Sequence, residues 1–116
     1  MASVLIGLGS NLGDREAWLR QALSSLDQDM DTQVVGVSSL FETAPVGGPA
    51  GQGAFLNACA VLETSRAPAA LLALMLQIEQ DAGRVRTVKD APRTLDLDIL
   101  LYGQQVIREE GLTVPH

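Results

Sequence analysis

The fold is decided by the stretch Pro92-Arg93-Thr94-Leu95-Asp96-Leu97-Asp98-Ile99-Leu100-Leu101, in which apolar and acidic residues alternate before an apolar run. A period of two predicts a β-strand with Asp96 and Asp98 on one face and the leucines on the other. Their Cα atoms should lie roughly 6.6 Å apart. Two like charges beside buried leucines repel each other and resist desolvation, and a divalent cation relieves both problems.

Magnesium is the cation that this acidic pair fits, because proteins hold it with one or two carboxylates plus substrate phosphates. The alternative is a solvated strand face that carries two ordinary aspartates, although aspartate is disfavoured in strands. From this stretch alone, both interpretations stay open.

The composition predicts a single domain that covers residues 1–116. The chain is 47% hydrophobic and 3% aromatic, so its core must consist mostly of Leu, Val, Ile and Ala. A formal net charge of −6 argues against general binding to nucleic acid or to an anionic membrane. Cys59 is the one cysteine, which excludes an internal disulfide and favours a cytoplasmic location. We expect no signal peptide and no membrane span.

Hydrophobic periodicity predicts the order β-α-β-β-α-β, an α+β fold of the ferredoxin-like type. Such a fold has an antiparallel four-stranded sheet with both helices on one face. The predicted strands are residues 3–8, 34–41, 54–63 and the acidic stretch, with a possible short strand at 104–108. The first helix spans 14–26. The second has Thr64 or Ser65 as its cap, Pro68 in its first turn and Gly83 at its end.

The first strand runs into a glycine-rich segment, Gly7-Leu8-Gly9-Ser10-Asn11-Leu12-Gly13. It raises the possibility of a small dinucleotide-binding module. However, Gly13 comes one residue too late for the GxGxxG spacing, and the antiparallel order does not suit that fold. Glycines that permit a tight turn between strand and helix are the favoured interpretation.

Other positions carry weaker signals. The connection at 42–53 is rich in Gly and Pro and is long enough to be functional or mobile. Asn57 lies in a strand with two apolar faces, so we expect it to be buried and to need hydrogen-bond partners. Glu79 lies at the margin of the second helix's apolar stripe, where a solvated residue is the default. Taken alone, the terminal His116 is expected to be inert.

Four of the eight basic residues fall within 84–93, immediately before the acidic pair. Phosphate bound together with magnesium requires both signs of charge, because carboxylates hold the metal and guanidinium groups contact phosphate oxygens. A charge cluster alone is usually a solvated loop. Its position beside an alternating acidic strand makes a phosphate site more specific.

Five blocks occur in order along the chain: Gly9-Ser10-Asn11-Leu12-Gly13, Phe55-Leu56-Asn57-Ala58, Gly83-Arg84-Val85-Arg86, the stretch from Pro92 to Ile99, and Leu112-Thr113-Val114-Pro115-His116. Together they resemble the signature of the 6-hydroxymethyl-7,8-dihydropterin pyrophosphokinases of folate biosynthesis. The resemblance implies an enzyme that transfers pyrophosphate from its co-substrate ATP to the pterin's hydroxymethyl oxygen and releases AMP. It also implies two magnesium ions, held by Asp96 and Asp98.

The resemblance assigns further roles residue by residue. The catalytic set is Asp96, Asp98, Arg84 and Arg93. The ATP-binding set is Glu79, Arg84, Arg86, Arg93, Ile99, Thr113 and His116. The pterin-binding set is Thr43, Ala44, Val46, Phe55 and Asn57. Residues 45–53 and 84–92 would be lids that exclude water during transfer.

The sequence also departs from the family pattern. Lys89-Asp90-Ala91 lacks the aromatic residue that usually precedes the Pro-Arg pair, Ala44 replaces a frequent proline, and Gly111 stands where some members have arginine. Family chains continue past the Val-Pro-His motif, so we expect the C-terminal part of the family domain to be absent from these 116 residues. The alternative to an active enzyme is a non-catalytic or truncated relative that binds nucleotide or pterin. We expect a monomer.

Overall fold

The computed structural model describes residues 1–11, 13–44, 53–82, 95–105, 107–109 and 112–114. The elements are β1 (Ala2–Ser10), α1 (Arg15–Gln28), β2 (Thr32–Val37), β3 (Phe41–Thr43), β4 (Phe55–Thr64), α2 (Pro68–Asp81), β5 (Asp96–Tyr102), β6 (Ile107–Glu109) and β7 (Leu112–Val114). No helix in these ranges is long and apolar enough to cross a membrane.

The main sheet has the strand order β2-β4-β1-β5, and all of its pairings are antiparallel. This order and the two helices on one face confirm the predicted α+β, ferredoxin-like fold. A fifth strand, β3, also pairs with β4, while β6 and β7 form a separate two-stranded sheet. The predicted count of four strands therefore describes only the central path of the sheet.

The prediction of one strand over 34–41 was wrong. β2 ends at Val37 and pairs with one half of β4, whereas β3 begins at Phe41 and pairs with the other half. Ser38 lies between them, where its backbone N–H donates to the Cys59 carbonyl and its hydroxyl accepts from the Cys59 N–H, both at 2.8 Å. β2 and β3 thus lie end to end along one edge of a ten-residue strand.

The core lies between the sheet and the two helices. Alternate residues of the strands and one stripe of each helix are buried there, as the predicted periodicities require: Val4, Ile6, Leu8, Leu19, Ala22, Leu26, Ala58, Ala60, Leu62, Leu71, Met75, Ile78, Leu95, Leu97 and Ile99. Each fully buried aliphatic side chain contributes about 1.5–3 kcal/mol of transfer free energy. The opposite face of the sheet carries no helix within the described ranges, and the acidic pair lies on that face.

The helix starts are capped differently. Asp14 caps α1, where its carboxylate accepts from the Ala17 N–H at 3.2 Å. The predicted caps of α2 were wrong, because its N-cap is Ala67 and has no side-chain capping bond, although Pro68 does begin the helix. Thr64 does not cap α2, because it is buried in β4, where its hydroxyl donates to the Asp31 carbonyl at 3.0 Å and accepts from the Arg66 N–H at 3.1 Å.

Candidate active site

The helix-free face of the sheet brings together three strands at one end. Asp96 pairs with Gly9 and Asp98 pairs with Gly7 across β1·β5, and Gly9 in turn pairs with Asn57 on β4. Because side chains alternate along strands, these residues share the face opposite the core. The prediction that Asp96 and Asp98 share one face, with the neighbouring leucines pointing into the core, is confirmed.

An open groove of about 140 Å³ runs over this face. Its walls include two predicted pterin-binding residues, both members of the predicted metal pair, and two side chains to which the sequence analysis gave no role: Phe55, Asn57, Asp96, Asp98, Phe41 and Cys59. Residues from four strands therefore meet at one site. The alternation along β4 was the signal that places Cys59 on the same face as Asn57.

Two glycines form the floor of the groove. A Cβ atom on Gly9 would lie 3.1 Å from Asn57 Oδ1 and 3.4 Å from a ring carbon of Phe55, whereas one on Gly7 would lie 3.5 Å from the Leu100 side chain. Gly9 thus lets two groove side chains lie directly against β1. Gly9 is inside β1, so its interpretation as a turn residue was wrong; of the three glycines within 7–13, Gly13, with φ of 72°, is the one in a left-handed turn conformation.

The amide of Asn57 has a defined orientation. Its Nδ2 donates to Thr43 Oγ1 at 2.8 Å and to the carbonyl oxygens of Phe41 and Phe55 at 3.3 Å each. Carbonyl oxygens only accept, so the nitrogen must face β3 and the oxygen must face Gly9. Asn57 is half-buried rather than buried as predicted, and its partners come from the protein.

The acidic pair suits magnesium by the chemistry of its donors. In the described part of the chain, no three or more His, Cys, Asp or Glu side chains are placed so that they could hold a metal ion together, so these two carboxylates do not belong to a closed all-protein metal cage there. Magnesium typically keeps waters and takes one or two carboxylates plus phosphate oxygens. The two carboxylates on an open groove therefore fit that ion.

Glu79 is not the solvated helix residue that its sequence position suggests. Its exposed fraction is 2%, and its carboxylate oxygen Oε2 accepts from the Leu97 N–H at 2.7 Å. Ile99 is likewise buried against the helices. Neither side chain lies in the groove, so two members of the predicted ATP-binding set lie on the core side of β5.

The Arg15 side chain on α1 bonds to residues on both sides of the connection between β3 and β4. It donates to the Ala54 carbonyl and to Glu42 Oε1, each at 2.9 Å. The sequence analysis missed this residue. A basic side chain in the first turn of a helix opposes the helix dipole, and that local conflict was the available signal.

Several predicted residues cannot be placed. Arg84, Arg86, Arg93, Val46 and His116 lie outside the described residues, as do most of both proposed lids. Thr113 lies in β7, where its backbone pairs with that of Arg108, and Ala44 is exposed just after β3. Their assigned roles stay predictions.

This chain is similar to a known protein family over nearly its whole length. The sequence model of the 7,8-dihydro-6-hydroxymethylpterin-pyrophosphokinase (HPPK) family matches residues 5–116. The chain belongs to this family. Family membership supports pyrophosphate transfer from ATP to hydroxymethyldihydropterin, in folate biosynthesis, as the reaction class of this HPPK chain.

Curated relatives are similar in sequence to this chain over nearly its whole length. A 2-amino-4-hydroxy-6-hydroxymethyldihydropteridine pyrophosphokinase of Bacillus subtilis is 50% identical over 111 residues, which are 96% of this chain and 66% of the relative. The enzyme of that name from Haemophilus influenzae is 43% identical over 116 residues, 100% of this chain and 72% of the relative. One from Pseudomonas putida is 45% identical over 111 residues, 96% of this chain and 91% of the relative.

Proposed function

We propose that this chain transfers the pyrophosphoryl group of ATP to 6-hydroxymethyl-7,8-dihydropterin in a magnesium-dependent reaction. The hydroxymethyl oxygen attacks the β-phosphorus, the bond from that phosphorus to the α-phosphate oxygen breaks, AMP leaves, and the hydroxyl proton is released. The observation that carries the proposal is the groove in which Asp96 and Asp98 lie with Asn57 and Phe55 over a glycine floor, in a chain of the HPPK family.

Asp96 and Asp98 would hold the magnesium. The family resemblance implies two ions at this site. When bound, magnesium would neutralise charge on the triphosphate and orient the reacting oxygens. Phosphoryl-type transfer depends mainly on positioning and charge stabilisation, so the chain's part is to hold both substrates in line. Four side chains from the resemblance are proposed as phosphate contacts: Arg84, Arg86, Arg93 and His116.

The pterin would enter the groove beside Asn57. The orientation of the amide directs Oδ1 towards the groove floor, where it is an acceptor for an N–H at the edge of the pterin ring. Phe55 offers an apolar surface to the ring. Thr43, Ala44 and Val46 complete the proposed pterin set, while Ile99, Thr113 and Glu79 complete the proposed nucleotide set.

We also propose a cytoplasmic location, which fits the single cysteine and hence the lack of an internal disulfide in these 116 residues. A monomeric state is proposed as well. A non-catalytic relative that binds nucleotide or pterin is the second candidate. The sequence Lys89-Asp90-Ala91 favours it, because an aromatic residue that the family usually places there is missing.

The test is AMP release from ATP by the 116-residue chain, with and without 6-hydroxymethyl-7,8-dihydropterin and with magnesium or excess EDTA. The proposal predicts AMP only when both pterin and magnesium are present. Pterin-independent AMP formation would contradict the assigned acceptor. Binding of ATP or pterin without any AMP would support the non-catalytic or truncated alternative, and repeating the assay with any natural C-terminal continuation restored would separate those two.

A further inference from the structure

Among the described residues, strand β5 is the outer strand of the main sheet and pairs with β1. Leu97 stands between Asp96 and Asp98, and its N–H donates to Glu79 on α2 at 2.7 Å. In an antiparallel strand, consecutive N–H groups point to opposite sides. The Leu97 N–H therefore points away from β1, while the backbones of both aspartates face Gly9 and Gly7.

This contact acts on the backbone that carries the acidic pair. An outward N–H on an edge strand normally bonds to water or to a further strand. Here a helix side chain takes that place, and it fixes the peptide plane between Asp96 and Leu97. The orientation of that plane sets the backbone angles on either side of it, and hence the directions in which the flanking aspartate side chains leave the strand.

A buried carboxylate at Glu79 costs free energy that a residue needed only for packing would not cost. Glu79 is 2% exposed and follows the apolar Ile78 in α2. A carboxylate in such surroundings is destabilising unless strong donors compensate it, whereas a leucine there would simply pack. A charged acceptor makes a shorter and stronger bond to an N–H than a neutral one does. The residue type therefore matches a need to hold Leu97 rigidly.

We propose that Glu79 is a positioning residue for the metal-binding pair: from the core side of β5 it fixes the Leu97 amide and thereby aligns Asp96 and Asp98 in the groove. The inference rests on the proposed function. It differs from the nucleotide contact that the family resemblance assigns to Glu79, because it acts through the backbone of β5 and needs no nucleotide.

Three variants separate positioning from packing. Glu79→Gln keeps an acceptor oxygen of the same reach, and Glu79→Leu keeps the volume but removes the acceptor. Met75→Leu is the matched control, because Met75 is buried one turn earlier on α2 and its side chain carries no acceptor oxygen. Volume-conserving changes of that kind are generally well tolerated.

The first readout is amide hydrogen exchange at Leu97, measured by NMR on protein free of metal and nucleotide. Glu79→Leu should exchange Leu97 roughly tenfold faster or more, since it loses a hydrogen bond to a charged group. Glu79→Gln should exchange Leu97 only a few-fold faster, because it keeps the acceptor oxygen but loses the charge, and Met75→Leu should stay close to the unaltered protein. Equal protection in all four proteins would overturn the inference.

The second readout is Mn²⁺ binding, followed by electron paramagnetic resonance with a non-hydrolysable ATP analogue. Loss of an outer support for metal ligands typically weakens affinity by 10–100-fold, so Glu79→Leu should bind Mn²⁺ at least about tenfold more weakly. Glu79→Gln should restore binding to within about threefold.

The outcomes distinguish the two proposals. If the unaltered protein binds no Mn²⁺, the proposed function fails and the inference fails with it. If it binds Mn²⁺ and Glu79→Leu binds equally well, only the inference fails. Should Glu79→Leu not fold, Glu79→Gln remains decisive, because lost Leu97 protection or lost Mn²⁺ binding in that folded variant contradicts a role carried by the acceptor oxygen.

Discussion

Aspartates occupy two contrasting environments in this protein, one at each end of the sheet. Asp29 is held by the Arg66 guanidinium through two hydrogen bonds of 2.8 Å, and the Thr32 hydroxyl donates to the same carboxylate at 2.8 Å. Asp96 and Asp98 instead lie opposite glycines, on an open groove. The Asp29 carboxylate is bound by a guanidinium in a closed cluster, and the Asp96 and Asp98 carboxylates line a groove that a ligand can fill.

The Asp29 cluster is a structural tie. Arg66 also receives a hydrogen bond at its carbonyl from the Tyr102 hydroxyl, so the far end of β5 is anchored to the segment before α2. The hydrogen bonds from Arg66 lower the pKa of Asp29 from 3.8 to about 2, against the opposing effect of burial. With Glu79 holding Leu97 near the groove, β5 is fixed at both ends, and only one of those ends carries the proposed chemistry.

Neutralising the groove aspartates should give the largest effect. Asp96→Asn and Asp98→Asn should each lower the rate of AMP formation by at least ~100-fold, because a lost metal ligand removes charge stabilisation in the transition state. The thermal midpoint of each variant should stay close to that of the unaltered protein. Unchanged AMP formation in both variants would remove the metal role from the pair.

Neutralising the far aspartate should give the converse result. Asp29→Asn should destabilise the fold by about 1–3 kcal/mol, since it weakens charge-assisted bonds to Arg66, while leaving the rate of AMP formation nearly intact. For a domain of this size each kcal/mol lowers the midpoint by roughly 4–8 °C. Glu16→Gln, in the exposed pair with Arg20, is the control and should cost no more than about 0.5 kcal/mol. A stable but inactive Asp29→Asn variant would contradict the purely structural role of Asp29.

A methyl group on the groove floor should give a smaller, selective effect. Gly9→Ala would bring a Cβ to 3.1 Å from Asn57 Oδ1, so that the amide must shift by a few tenths of an ångström. We expect the KM for pterin to rise roughly three- to tenfold while the KM for ATP changes little. Gly36→Ala is the matched control, because a Cβ there meets nothing within 4 Å. Equal pterin KM values in the two variants would contradict the role of the floor.

Lowering the pH should produce the smallest effect, a difference in thermal stability between the unaltered protein and Asp29→Asn. The folded protein holds the Asp29 carboxylate ionised more strongly than the unfolded chain does, because its pKa is about 2 rather than 3.8. Its stabilising contribution is therefore full above pH 4 or so and is lost as pH falls through about 2. Between pH 4 and pH 2 the midpoint of the unaltered protein should fall a few degrees further than that of Asp29→Asn. Parallel curves would show that Asp29 is not the titrating group.

The fold was predictable because its signals are local. Alternation places Asp96 and Asp98 on one face of β5 and Leu97 on the other. Helical spacing identifies the buried stripes of α1 and α2. The split between β2 and β3 was less visible, because residues 38–40 contain no Gly or Pro that would mark an interruption in the sequence. The helix cap at Thr64 was mispredicted because that hydroxyl bonds to Asp31, a partner distant in sequence, and accepts from the Arg66 N–H before the helix begins.

The groove could be predicted only in part, since its geometry depends on register across strands. Nothing local to Gly9 reveals that Asn57 lies beside it, so a glycine of the groove floor was interpreted as a turn residue. Glu79 was treated as solvated because its position on the helix stripe is marginal. Its burial follows from the packing of α2 against the edge of β5, a contact of eighteen residues' separation that no periodicity encodes.

The central claim is that Asp96 and Asp98 form the metal site of a pyrophosphokinase groove. Its most direct test is a Mn²⁺ titration of the unaltered protein and of the double variant Asp96→Asn/Asp98→Asn, followed by electron paramagnetic resonance with a non-hydrolysable ATP analogue and with Asp29→Asn as control. The account predicts saturable Mn²⁺ binding in the unaltered protein and in Asp29→Asn, and its loss in the double variant. Undiminished Mn²⁺ binding by the double variant would contradict it.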